Sequence, residues 1–284
     1  MNGVGVIERG DPLYPSSLAA IFDPPKRLYV RGHGSFTLLE RATVAIVGAR
    51  ACSAYGTHVA RMLGRELAAA GLVVVSGMAR GIDGAAHRGA LDAEGLTVAV
   101  LGCGIDRNYP ASHTQLAARI CESGLILSEY ESGVDPAPWR FPARNRIIAG
   151  LAAATIVVEA RERSGALITA DVALEEGREV LAVPGEITSS VSAGTNRLIR
   201  LGATPVTCAG DVLEVFGLEP PQPVAPTVDG IAGTILDCLR ENPASADELA
   251  RSLGLGAAEL SVALVELELA GLAAEGEGVY RACA

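Results

Sequence analysis

The sequence predicts an α/β fold: a doubly wound, mostly parallel sheet, followed by a small C-terminal winged-helix domain. Three observations predict it. Short β-branched apolar runs recur between residues 43 and 185, each followed by glycine or a polar turn and then by a helical stretch. Near-continuous apolar strands alternating with helices of about 10–15 residues indicate a parallel sheet covered on both faces. Hydrophobic residues make up 49% of the chain but aromatics only 4%, so Ala, Val, Leu and Ile must fill the core, as they do in such sheets. Beyond a proline-rich break at 218–230 the pattern changes to three short helices and a hairpin, which is winged-helix patterning.

Taken in order, residues 1–40 form a lead-in segment rich in Pro and turn residues, "GDPLYPSSL" and "FDPPKRLYVRG", with one short strand expected. The Rossmann-like domain spans 41–217. Its strands are expected at "TVAIVGAR" (43–50), "LVVVSG" (72–77), "TVAVLGCG" (97–104), "GLILSEY" (124–130), "TIVVEA" (155–160) and "EVLAVPG" (179–185), with a weak last strand at "ATPVT" (203–207). Helices are expected between them, for example "THVARMLGRELAAAG", "GAAHRGALDAEG" and "ALITADVALEEG". The segment 218–230 has four prolines and no periodicity and reads as a linker. In the winged-helix domain, 231–284, "GLG" joins the second and third helices.

Composition excludes several classes. The only lysine, Lys26, follows Pro25, so there is no Walker A loop and no candidate for Schiff-base chemistry. The six cysteines, at 52, 103, 121, 208, 238 and 283, have no C-x-x-C spacing and no accompanying His cluster. Neither a disulfide framework nor a metal site is expected, and the setting is read as reducing and cytoplasmic. No signal pattern opens the chain and no uncharged apolar run reaches the length of a membrane span. No cofactor is expected.

In an open α/β sheet, ligands bind outside the carboxyl ends of the strands, and there this chain, with a formal net charge of −10, collects arginines. The first strand ends at Gly48, Arg50 and Ser53, where a helix N-terminus offers free N–H groups to an anion. The second ends at Ser76, Gly77, Arg80 and Gly81, the third at Gly102, Gly104, Arg107 and Tyr109, and the sixth at Gly185, Ser192, Gly194 and Asn196. Between the fourth and fifth lies "WRFPARNRIIAG", which sets Arg140, Arg144 and Arg146 beside Trp139 and Phe141 without an acidic residue. Arg50, Arg80, Arg107, Arg144 and Arg146 are expected to converge on one edge as an anion site, unless internal carboxylates take them. A G-x-G-x-x-G fingerprint after the first strand is missing. Aromatic faces beside arginines suit unpaired bases on a phosphate backbone, as in single-strand recognition. Arg146 reads equally as a structural ion-pair partner, and Phe141 equally as core filler.

The motifs "VAIVGAR…YG", "SGMARGIDGAAHRGAL", "GCGIDRNYP", "SEYESG", "FPARNRIIAGL", "VVEARERSGALITADVALEEGREVLAVPG" and "SAGTNRLI" resemble, in order and spacing, the DNA-processing protein A (DprA/Smf) family over about residues 4–217. The C-terminal segment resembles the winged-helix domain many members carry. Members often have a helical SAM-like domain in front, and this sequence is expected to begin too late to hold one. The resemblance implies a Rossmann-like, non-catalytic protein that binds single-stranded DNA without sequence preference, dimerises, and delivers incoming DNA to the RecA recombinase in natural transformation. It implies that Arg50 is the central phosphate-binding residue, that Gly48, Ser76, Gly77, Arg80 and Gly81 line the groove, and that Phe141, Arg144 and Asn145 form its far wall. It places self-association on the helix carrying Leu198 and Ile199, for which core packing is the alternative. After "YP" many members have a basic residue where this chain has Ala111: either a phosphate contact is missing or Arg107 replaces it.

Two other readings are open at this stage. A nucleotide N-glycosidase on a related fold would use Glu129, Glu159, Asp83 or Asp106 as acid or base, although this chain has "VPGEITSSVSAGT" in place of the usual "PGGxGT" loop. A nucleotide sensor would report a small ligand through the winged helix. That helical domain carries nine acidic and three basic residues from Ile231 to Ala284, so protein rather than duplex DNA is its expected partner.

Overall fold

The computed structural model describes residues 4–219 and 230–282, apart from 271 and 277. Most of the proline-rich linker expected at 218–230 therefore lies outside the described residues. The chain divides into two compact units, Met1–Pro221 and Gln222–Ala284.

In the first unit the elements run β1 (Gly5–Glu8), α1 (Ser16–Ala19), β2 (Arg27–Arg31), β3 (Thr43–Val47), α2 (Ala54–Ala69), β4 (Val73–Ser76), α3 (Ile82–Asp92), β5 (Thr97–Leu101), α4 (Thr114–Ser123), β6 (Leu125–Ser128), α5 (Arg140–Leu151), β7 (Ala154–Val157), α6 (Gly165–Glu175), β8 (Glu179–Ala182), α7 (Ala193–Arg200), β9 (Thr204–Pro205) and α8 (Ala209–Val215). Among the described residues the strands form one nine-stranded sheet in the order β1-β2-β6-β5-β4-β3-β7-β8-β9. From β6 to β9 all neighbours are parallel.

Both faces are buried, which explains the unbroken apolar strands. In β3, Val44 and Ile46 pack with Val59, Leu63 and Leu67 of α2, while Ala45 and Val47 pack with Ile147, Ile148 and Leu151 of α5. Each strand stops a few residues before its apolar run does, because the last residues turn outward into the carboxyl-edge loops. The lead-in holds two strands where one was expected. β1 pairs antiparallel with β2, and β2 antiparallel with β6, so the segment extends the sheet. β1 escapes a pattern reading because only Ile7 of its four residues is buried.

In the second unit α9 (Gly230–Glu241), α10 (Ala246–Leu253) and α11 (Ala257–Leu269) precede the hairpin of β10 (Ala273–Gly276) and β11 (Val279–Ala282). Ile235, Leu236, Leu249, Leu260, Leu264 and Leu267 make its core. Ser245 and Glu248 form a capping box that starts α10, and Gly254, at φ 65°, ends it. This is a winged helix. Among the described residues no helix is long and apolar enough to cross a membrane, and no group of three His, Cys, Asp or Glu is placed to hold a metal ion.

Candidate nucleic-acid interface

The strand order locates the site. The chain steps outward from β3 through β4 and β5 to β6, then returns to the other side of β3 to lay down β7 and β8. The crevice over the carboxyl ends of β3 and β7 is thus the topological switch point, where open α/β sheets bind ligands.

Arg50 leaves the end of β3 exposed, and its guanidinium stands 5.0 Å from the centre of the Phe141 ring on α5. Tyr109 stacks on the same ring, with centroids 5.4 Å apart and an interplanar angle of 28°. This stack divides the crevice. On one side a cavity of 570 Å³ over β3 and β7 is lined by Gly48, Asn145, Arg161, Arg163 and Gly165 among others. On the other a cavity of 640 Å³ over β4 and β5 is lined by Gly77, Arg80, Gly102 and Asn108 among others. Both include Arg50, Tyr109, Phe141 and Arg144.

Under the stack lies Arg144, buried at 4% exposure. Its Nη1 donates to the carbonyls of Gly77, at 2.6 Å, and Val100. It therefore ties β4 and β5 to α5 and forms a charged floor. Only glycine fits at 77, since a Cβ there would come within 2.5 Å of that guanidinium. Burial pushes the Arg144 pKa down to about 10, leaving it charged at neutral pH. Burial raises the nearby Asp83 carboxyl, against the opposing pull of Arg144.

The structure brings Gly48, Arg50, Gly77, Arg80, Phe141, Arg144 and Asn145 to the cavity walls. Asn145 Nδ2 donates to Gly165 O at 3.1 Å, bracing α5 against α6. Gly81, at φ 75°, lets the turn after β4 pass the Ala49 carbonyl, which a Cβ would approach to 2.3 Å.

Other expected contacts are used internally. Arg107 pairs at the surface with Asp135 at 3.2 Å and Asp106 at 3.9 Å, carboxylates that a phosphate would have to displace. Arg146 is held by Glu129 at 2.6 Å and Asp23 at 3.0 Å. Ser76 is fully buried and donates to Ile46 O at 2.6 Å. Gly185 and Asn196 bond each other through Gly185 N–H to Asn196 Oδ1 and Asn196 Nδ2 to Gly185 O, and line neither cavity. Ser53 was expected to leave a helix N-terminus open to an anion. Instead its N–H, at 2.8 Å, and its hydroxyl both donate to the buried carboxylate of Glu159, and its hydroxyl oxygen also accepts the N–H of Gly56. An internal anion already fills the start of α2.

Two contributors escaped the sequence reading. Arg161 and Arg163 follow β7, line the first cavity, are exposed, and have no ion pair among the described residues. The start of α6, capped by Ser164, adjoins them. Their signal was the run "ARERSG" at the end of an apolar strand, where the fold puts ligands. Among the described residues, the crevice-lining arginines without an ion pair or hydrogen bond are thus Arg50, Arg80, Arg161 and Arg163, rather than the five arginines expected.

The family model described as DNA recombination-mediator protein A matches residues 5–217. The chain belongs to the DprA family. A DprA winged helix domain matches residues 219–278. Protein Smf of Escherichia coli K12 is 40% identical over 294 residues, which span 98% of this chain and 78% of that DprA relative. The X-ray structure of DprA from Streptococcus pneumoniae superposes with a TM-score of 0.71 at 45% identity, covering 74% of each chain. The DprA structure from Helicobacter pylori, reported for its single-stranded DNA binding mode, gives a TM-score of 0.68 at 31% identity, covering 76% of this chain and 98% of that one.

Proposed function

We propose that this DprA-family chain holds single-stranded DNA across the β3–β7 crevice and, as a homodimer, passes it to the RecA recombinase during natural transformation. The observation that carries the binding reading is the Arg50–Phe141–Tyr109 stack between two open cavities rimmed by unpaired arginines. Arginines follow a phosphate backbone, and an aromatic face accepts any base. The Helicobacter pylori relative, whose structure was reported for its single-stranded DNA binding mode, supports the same reading. The exchange with RecA rests on the family resemblance.

A binder fits better than a hydrolase. Each of the four carboxylates expected as acid or base accepts an internal hydrogen bond: Glu129 from Arg146, Glu159 from Ser53, Asp106 from Gly133 N–H and Asp83 from Ala79 N–H.

The test is Arg50→Ala with a labelled oligothymidylate followed by anisotropy. Loss of one charge-assisted phosphate contact is expected to cost about 1–3 kcal/mol. The dependence of log K on log salt is expected to be shallower by roughly one contact. Unchanged affinity and slope, with the fold intact by circular dichroism, would overturn this site.

A further inference from the structure

Beyond the crevice the same sheet edge carries a second stack of arginine and aromatic rings. Trp139, the only tryptophan of the chain, caps the start of α5 and is 63% exposed. Arg140 lies between Trp139 and Tyr130, its guanidinium 4.8 Å from the first ring centre and 5.0 Å from the second. The two rings meet edge to face at 6.5 Å. Arg140 is itself anchored, donating through Nη1 to the carbonyl of Asp135. Trp139 is therefore a positioned ring with an open face, unlike a lone apolar side chain on the surface.

Its place in the fold gives that face a direction. Tyr130 follows the end of β6, and β6 neighbours β5, over whose end Phe141 packs against Gly102. Along the carboxyl edge the order is Arg161 and Arg163 after β7, Arg50 after β3, Arg80 after β4, Phe141 and Tyr109 over β5, then Trp139 and Tyr130 beside β6. Adjacent strands lie about 4.8 Å apart, so the second stack stands a step or two beyond the first.

We infer that Trp139 is a second stacking platform, which takes a base of the strand after it has left the Phe141 stack. The inference rests on the single-strand reading above. Asp106, Glu131 and Asp135 are acidic residues next to Tyr130 and Arg107 in the chain or paired with Arg107, and Arg140, which has no ion pair among the described residues, is engaged by the two rings and the Asp135 carbonyl. The contact is to a base, and its strength is independent of salt.

The probe is an oligothymidylate of about twenty nucleotides, longer than the roughly 4–16 held by one compact single-strand module, with binding followed by anisotropy and by the emission of Trp139. Saturation is expected to quench that emission. Trp139→Ala is expected to weaken binding by roughly ten-fold, the scale of one lost base stack, without changing the salt slope. Trp139→Phe is expected to restore affinity to within about two-fold, because a phenyl face still stacks. Saturated binding with unchanged emission, or Trp139→Ala binding as the wild type does, would overturn the platform and leave the crevice reading standing. A wild type that fails to bind the oligomer at all would overturn both.

Discussion

Residue type alone does not say which arginine is free. Arg50, Arg107, Arg144 and Arg146 are all expected at the same sheet edge, yet they meet three different fates. Arg50 faces an aromatic ring, Arg107 and Arg146 are neutralised by carboxylates, and Arg144 is sunk among carbonyls. The partners that decide this come from other elements: Asp23 lies 123 residues from Arg146, a distance across which no local pattern carries information. Glu159 shows the same from the acidic side. Its carboxylate takes the place a phosphate occupies in many α/β sites, at the start of the helix after the first parallel strand. Glu159→Ala should therefore cost stability without removing a DNA contact. The two hydrogen bonds that Glu159 accepts from Ser53 are charge-assisted, and their loss leaves the Ser53 N–H unpaired and the capping hydroxyl without its anchor. A fall of about 1–3 kcal/mol in urea unfolding is expected, with oligothymidylate affinity retained in the folded protein.

At the level of elements, the helices were legible because their apolar positions recur at helical spacing, and the strands because both faces are buried. What the pattern overextended were the strand ends, where apolar residues and glycines leave the ladder to build the crevice. α3 carries a further consequence. His87 is fully buried on it, with Nδ1 2.7 Å from the Thr97 hydroxyl. That hydroxyl donates its proton to Val74 O, so the histidine donates from Nδ1, and its buried Nε2 has no hydrogen-bond partner. Burial, reinforced by His113, Arg144 and Arg88, lowers its pKa to about 3. The unfolded chain binds a proton there near pH 6.5 and the folded one does not. Stability from this group is complete above about pH 6.5 and drains away as pH falls toward 3. His113, also lowered by burial, acts in the same direction. His87→Leu is expected to flatten the acid limb of a urea-midpoint against pH profile between those values.

For the whole molecule, the proposed homodimer calls for a face on which two copies could meet. Leu198 is 8% exposed and belongs to the core, with Ile199 packed against it. Beside them, exposed apolar surface is offered by Leu201, at 69% exposure, and Ile168, at 41%. Both line a 420 Å³ recess with Arg197 and Asp171. A two-fold axis through such a patch would bury the leucines and set opposite charges across it. Leu201→Glu is expected to convert a dimer to a monomer by light scattering, since each interface would then bury two unpaired carboxylates. A wild type that is already monomeric at the same concentration would remove this face from consideration.

The alternation of strands and helices, the switch to a winged helix and the family motifs could be read from the chain alone, because hydrophobic period and turn chemistry are local and repeat every few residues. The sheet edge as the functional edge was equally legible, since the parallel topology puts the carboxyl ends of β3 to β9 on one side. Which side chains there remain open to a ligand was settled only by the tertiary structure. Whether a guanidinium faces a carboxylate, a carbonyl or open solvent depends on groups brought close from as many as 123 residues away, and a charge is free only when folding leaves it without a partner.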